Sequence, residues 1–266
     1  MTALYGSFDT LAVNRTDQGL VTLTLNRPDT LNAFSDAMVE ELIDFFHALG
    51  KDRAARVLTI TGAGPAFSVG GDIDMLESFH DDVDQSIHSS RRFAAAMRAM
   101  HDCEIPIVAL VNGDMLGGGF ALALLADVVL MADSARILIG AQSNINVLSG
   151  PETWLLPLFA SPMKARYHLL RAGFIDAAAA DQMGLVSKVV PADALANEGA
   201  ALAADIIKQD AMTMAWTKRT ANHMIEQSRP LLDLYVALEG FMFGRAPARQ
   251  GLDKMRKTLE GGHDKD

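Results

Sequence analysis

Two stretches of this 266-residue sequence run from a β-rich segment into paired glycines and then into a helical pattern. They are TITGAGPAFSVGGDIDML, Thr59 to Leu76, and ALVNGDMLGGGFALAL, Ala109 to Leu124. Glycine at such a junction lets backbone N–H groups approach a bound atom with no Cβ in the way. N–H groups at a helix start lack intrahelical partners and lie at the positive end of the helix dipole. Two such ends facing each other form an oxyanion hole, which stabilises an enolate or a tetrahedral oxyanion. Glycine pairs also serve plain tight turns and close packing, so a single pair would carry little. It is the repetition of strand, glycines and helix that points to chemistry.

The elements around the glycines can be read from the pattern. Leu11–Asn14 and Leu20–Leu25 flank Asp17-Gln18-Gly19 as a hairpin. Ser35 opens a helix with Met38, Leu42, Phe45, Phe46 and Leu49 on one face and Gly50 as its stop. Val57–Thr61 and Ile107–Val111 read as strands, the second apolar throughout, as a strand buried on both faces would be. Val128–Met131 and Val186–Val190 are further strands. Ser161-Pro162 and Asp176 start helices that Gly173 and Gly184 stop. Beyond about Asp193 only helices are expected, so the chain divides into a strand-and-helix core over 1–195 and a helical region over 196–266. A loose strand–strand–helix recurrence runs through the core, as a coiled β-sheet would produce.

Composition narrows the classes. Half the residues are hydrophobic, enough for a large core. The formal net charge of −10 argues against a nucleic-acid partner. The one cysteine, Cys103, rules out an internal disulfide framework and a cysteine-ligated zinc. His47, His101, His168 and His223 lack metal-ligand spacing, and neither a P-loop nor a nucleophile elbow occurs. The N-terminus shows no signal-peptide pattern, and Asp127 breaks the longest apolar run, Phe120 to Ala132. A soluble cytoplasmic protein without membrane segment or bound metal is expected.

The chain resembles the crotonase superfamily (enoyl-CoA hydratase/isomerase). The resemblance is carried by LTLNRPDTLNAFS (Leu23 to Ser35), VLTITGAGPAFSVGGDIDML, IPIVALVNGDMLGGGFALALLADVVLMADSARI and GFIDAAAADQMGLVSKVVP (Gly173 to Pro191). It implies an α/β (α+β) fold, a spiral of ββα units with a helical C-terminal trimerisation region, assembled as a homotrimer or hexamer. The implied ligand is an acyl-CoA thioester, a substrate rather than a cofactor, whose carbonyl oxygen takes N–H bonds from Gly71 and Gly118. Ser68 and Val69 would lie along the path to the adenine. Asp72 and Asp127 read as structural.

The sequence departs from the family where proton transfer is expected. Hydratases of the family carry two glutamates at positions that here read Ala121 and Ala141. Water addition needs a base for the water and an acid for Cα, and alanine supplies neither. The candidate replacement is Glu152. Certain isomerases of the superfamily place one glutamate about three positions earlier, where this chain has Ser149. Ring-closing naphthoyl-CoA synthases carry an aspartate where Leu148 stands. Ser149-Gly150-Pro151-Glu152 also reads as a capping box, which would occupy the carboxylate with a backbone N–H. Asn144, Asn146 and Ser149 are candidate ligand contacts; Asp74, Glu77 and His80 either line the acyl pocket or form a solvated helix face. The resemblance leaves two functions open. One is an acyl-CoA-processing enzyme that stabilises an enolate or oxyanion: an atypical hydratase/isomerase, a decarboxylase or a hydrolase. The alternative is a catalytically impaired acyl-CoA-binding protein.

Overall fold

The computed structural model describes residues 4–140, 145–148 and 150–262. Ala141, Asn144 and Ser149 of the candidate residues lie outside the described residues. Strands β1 (Leu11–Arg15) and β2 (Leu20–Leu25) form the expected antiparallel hairpin. Its turn passes through Gly19 at φ +94°, where a Cβ would lie 2.4 Å from the Ala54 carbonyl. In β2 the alternation is strict, with Val21, Leu23 and Leu25 fully buried. The helix Asp36–Leu49 lies on this sheet, capped by the Ser35 side chain accepting from the Met38 N–H.

The chain then repeats a pair of strands shared between two sheets. The pairs are β3 (Val57–Gly62) with β4 (Ala66–Ser68), β5 (Ile107–Val111) with β6 (Asp114–Leu116), and β7 (Val128–Ala132) with β8 (Arg136–Ile139). The first member of each pair joins a six-stranded sheet completed by β10 (Lys188–Val190), in the order β1-β2-β3-β5-β7-β10. The second member joins a four-stranded sheet completed by β9 (Gly173–Asp176), in the order β4-β6-β8-β9. Within each sheet these paired strands run parallel, while β9 runs antiparallel to β8. This is the spiral of ββα units. Three helices come after the first two pairs: Ile73–Asp81 and Val83–Asp102 after β4, and Gly118–Leu124 after β6.

The structure adds the whole second sheet, whose strands of three or four residues the sequence reading passes over. Gly173, expected only as a helix stop, also begins β9. The last strand starts at Lys188 rather than Val186. Leu185 closes the preceding helix by donating to the Ala180 carbonyl, so the chain is not yet free to pair there.

The helix Leu195–Ile207 packs on β3, β5 and β7. The first helix beyond 195 therefore covers the core sheet. The remaining helices are Ala211–Ala221, His223–Ser228, Pro230–Phe243 and Ala246–Gly262. Lys218 reaches back from them to Asp127 at 2.8 Å, and Asp127 also accepts the Ile107 N–H at 2.7 Å, the structural role expected of it.

Pro230–Phe243 is apolar on two faces. Leu232, Tyr235, Val236, Gly240 and Phe243 are buried, whereas Leu231, Leu234, Leu238 and Phe241 are 47–68% exposed. Phe243 is packed edge-on against Phe79. The exposed four repeat at three- and four-residue intervals, the spacing of a helix seam that packs on another helix. Leaving that stripe in water is unfavourable by about 25 cal/mol per Å² of apolar surface. Trimers or hexamers are the expected result of light scattering at micromolar concentration; a stable monomer would contradict the reading of this stripe as an interface.

Candidate active site

The two glycine turns touch. Gly70 has φ +83° and Gly117 φ +54°, backbone that side chains rarely tolerate. A Cβ added at either would lie 3.5 Å from the Cα of the other. Parallel pairing of β4 with β6 sets this approach, with Ala66 opposite Asp114 and Ser68 opposite Met115. Behind the turns Gly119 sits so close to Ser68 that a Cβ would fall 2.4 Å from the Ser68 carbonyl. The residues after each close approach are Gly71 and Gly118. Among the described residues neither N–H has a hydrogen-bond partner, and both glycines line one cavity of about 140 Å³.

Buried polar side chains hold the turns. Asn32, fully buried, donates to the Ala63 and Ala66 carbonyls at 2.8 and 2.9 Å and accepts the Arg27 N–H at 3.0 Å. Asn112 accepts the Gly62 N–H and donates to the Gly64 carbonyl, each at 3.0 Å, fastening the end of β5 to the β3–β4 turn. Phe34 donates to the Gly70 carbonyl at 2.7 Å and accepts from the Asp72 N–H at 2.9 Å, fixing the peptides on either side of Gly71. Asp72 caps the Ile73–Asp81 helix and pairs with Arg27 at 2.8 Å, so it braces the loop as expected.

Glu152 belongs to the same framework. It is 1% exposed, opens the helix Glu152–Phe159, and accepts the Gly117 N–H through Oε1 at 2.7 Å. Among the described residues no side chain caps that helix. The carboxylate is thus placed behind the second glycine turn, and Glu152 is not among the residues lining the cavity. Ser68 is likewise fully buried under the first turn, donating to the Asn32 carbonyl at 2.7 Å, while Val69 lines the cavity.

The helix after the first glycines contributes Met75, Leu76 and Phe79 to the cavity rather than its charged residues. Asp74 and Glu77 pair with Arg256 of the C-terminal helix, and His80 Nδ1 lies 3.2 Å from the Phe243 carbonyl. Asn146, at φ +55°, donates to the Pro247 carbonyl at 2.9 Å. Ala121 is fully buried in the core and does not face the cavity. Away from the cavity, His101, Asp102 and Glu226 bring potential metal-ligand atoms within 4.8 Å of one another. Arg229 pairs with both carboxylates, at 3.2 Å to Asp102 and 2.9 Å to Glu226.

One cavity residue escapes the sequence reading entirely. Glu239, on the helix Pro230–Phe243, lines the cavity with Tyr235, whose hydroxyl donates to Glu239 Oε2. Burial pushes the Glu239 carboxyl up to about 7, against a smaller opposing effect of the Tyr235 hydrogen bond. Burial raises the Tyr235 hydroxyl too, helped by the neighbouring charges of Glu239 and Glu152. The available signal is the i, i+4 spacing of Tyr235 and Glu239, which puts both on one helix face.

The chain matches the family model described as enoyl-CoA hydratase/isomerase over residues 15–257. A Mycobacterium tuberculosis protein named "Probable enoyl-CoA hydratase echA8" is 33% identical over 226 residues, 84% of each chain. The 1,2-epoxyphenylacetyl-CoA isomerase of Escherichia coli is 29% identical over 212 residues, 79% of this chain and 81% of the relative. Among solved structures, an enoyl-CoA hydratase/isomerase from Mycobacterium paratuberculosis superposes with a TM-score of 0.86 at 31% identity. That match covers 94% of this chain and 100% of the other.

The raised Glu239 carboxyl has a consequence for stability. Its folded value of about 7 lies above the ordinary 4.5, so the folded protein holds this proton more tightly than the unfolded chain does. The contribution is fully present below the unfolded value and is lost as pH rises through the folded one. Between pH ~5 and ~8 the parent should lose up to roughly 3 kcal/mol relative to Glu239→Gln, at about 1.4 kcal/mol per unit. Urea denaturation of both proteins at the two pH values checks this; parallel behaviour would mean that Glu239 is well solvated.

Proposed function

Because the chain belongs to the enoyl-CoA hydratase/isomerase family, we propose that its cavity binds an acyl-CoA thioester and stabilises the enolate or oxyanion formed at the thioester carbonyl. The observation that carries this reading is the pair of N–H groups, at Gly71 and Gly118, at abutting glycine turns and on one cavity. The rest of the lining is mostly apolar, with Phe34, Leu76, Phe79, Phe93 and Leu116 among its residues. That suits an acyl chain. It also excludes water, so two hydrogen bonds to a developing negative oxygen count for more than they would in solution.

Gly71 and Gly118 act through backbone, and their lack of side chains is part of the function. Glu152 takes the Gly117 N–H, which fixes the neighbouring peptide and leaves the Gly118 N–H to the ligand. In this reading Glu152 positions the second donor; it does not carry a proton to the acyl group. The helix that begins at Gly118 has only seven residues, so the N–H groups themselves, more than a macrodipole, do the stabilising. In the same reading Val69, on the cavity wall beside Gly70, follows the ligand outward from the thioester.

Ordinary hydration by two carboxylates does not fit. Ala121 replaces one member of the family pair and is packed into the core. Taken alone, that alanine favours the alternative, a binding protein that keeps the pocket without turnover. Both readings require the thioester to bind.

The test is at Gly118. A Cβ there would lie 3.0 Å from two ring atoms of Phe93 and 3.1 Å from Phe34. A branched side chain therefore has to displace the rings or occupy the ligand's place. Gly118→Val should keep the circular dichroism of the parent and weaken butyryl-CoA binding, measured by calorimetry, more than tenfold, above ~1.4 kcal/mol. Unchanged affinity in the folded variant would remove the oxyanion-hole assignment.

A further inference from the structure

We infer that Glu239, oriented by Tyr235, is the group that carries a proton to and from the acyl carbon next to the thioester carbonyl. The inference rests on the thioester reading above and names the acid/base that this reading lacks.

Among the described residues Glu239 is the only carboxyl on the cavity wall. Besides Glu239, the polar side chains on the wall are Ser89, Ser90 and Tyr235, none of which is a base at neutral pH. Gly71 and Gly118 line the same cavity of about 140 Å³, so the two N–H donors and the carboxylate open onto one space.

The carboxylate is prepared for one task by its two oxygens. Oε2 accepts from the Tyr235 hydroxyl, and Oε1 has no hydrogen-bond partner among the described residues. The Gly150 turn, at φ +56°, closes over the pair: a Cβ there would lie 3.4 Å from the Tyr235 hydroxyl and 3.7 Å from Glu239 Oε1. One oxygen is fixed, and the other is left to the cavity. A structural role explains this poorly. A carboxyl on a mostly apolar cavity wall, shared with Phe79, Phe243 and Met255, costs stability that an apolar side chain of similar size would not.

Its protonation suits the task as well. Lifted by burial to about 7, Glu239 is present in both forms near neutrality, where general acid/base catalysis is most effective. The surroundings add little charge. The helix Glu152–Phe159 brings Glu152, whose charge bears on Tyr235. The Val83–Asp102 helix brings Ser89, Ser90 and Arg98, the last paired with Asp233. From Ile73–Asp81 come Asp74 and Glu77, held by Arg256, with Asp81 near Arg249 and His80 at the Phe243 carbonyl. The His223–Ser228 helix brings Glu226, paired with Arg229.

The step balances without a co-reactant. The Glu239 carboxylate takes a proton from Cα. The C–H electron pair forms the double bond to the carbonyl carbon, and the carbonyl π pair moves to oxygen, where the Gly71 and Gly118 N–H groups hold it. The neutral Glu239 then returns the proton to Cα or, when a 3,4-double bond is present, to the γ carbon. Return to the γ carbon shifts the double bond into conjugation with the thioester. A single carboxyl suffices for this, whereas water addition requires a second group to activate the water.

The probe is 3-butenoyl-CoA in D2O, whose Cα–H is activated by both the thioester and the alkene. The parent should move the double bond and incorporate deuterium, with kcat/KM rising with pH along a limb near 7. Glu239→Gln should bind butyryl-CoA as the parent does and lose turnover by roughly 10²–10⁴-fold. Tyr235→Phe removes a donor to the carboxylate, so the limb should move to higher pH, which a purely structural tyrosine would not cause. If Glu239→Gln fails to fold, this displacement of the limb decides. Parent-like turnover in Glu239→Gln, a limb that Tyr235→Phe leaves in place, or no exchange in a parent that binds butyryl-CoA would each overturn the assignment. A parent that binds no CoA thioester removes the thioester reading itself, and this assignment with it.

Discussion

Everything at the site depends on how closely two backbone turns approach. Gly70 and Gly117 meet so closely that a Cβ on either would touch the Cα of the other. Both adopt positive φ, and behind them Gly119 lies against the Ser68 carbonyl at a distance no side chain permits. The consequence is that two N–H groups from separate ββα units reach the same small volume. Binding through backbone has an advantage over binding through side chains. The donors have no rotamers to freeze, so their orientation is set when the sheets form.

The two-sheet arrangement makes the approach possible. Splitting β3 from β4 and β5 from β6 turns the chain sharply at the end of each long strand and delivers a short strand to the second sheet. The short strands pair in parallel, which places the glycines after them side by side. Asn32 and Asn112 satisfy the backbone groups that these turns expose, and Glu152 does the same for Gly117. A buried carbonyl or N–H left without such a partner costs about 1–3 kcal/mol, so these side chains are conditions for the turns to exist. The C-terminal helices then close the cavity and bring in Tyr235 and Glu239.

How much of this is legible in the sequence depends on the range of each signal. The glycines are legible because no other residue serves, and the long strands and capped helices because their patterns are local. Ser35, Asp176 and Gly184 act where expected. The second sheet is not legible: Ala66–Ser68 and Asp114–Leu116 have three residues each, too few to show a period. The reach of Glu152 is not legible, because its side chain crosses to a residue 35 positions earlier. Glu239 is obscured by the exposed leucines of its own helix. Its chemistry comes from a cavity assembled by Gly71, Gly118 and Gly150, far upstream, and no local pattern reports on that.

The central claim is that Gly71 and Gly118 share one thioester oxygen. A crystal structure with butyryl-CoA bound tests it most directly. The account predicts the thioester oxygen about 2.7–3.1 Å from both nitrogens, with the acyl group in the apolar cavity. A thioester bound with its oxygen beyond hydrogen-bond reach of either N–H, or outside this cavity, would contradict it.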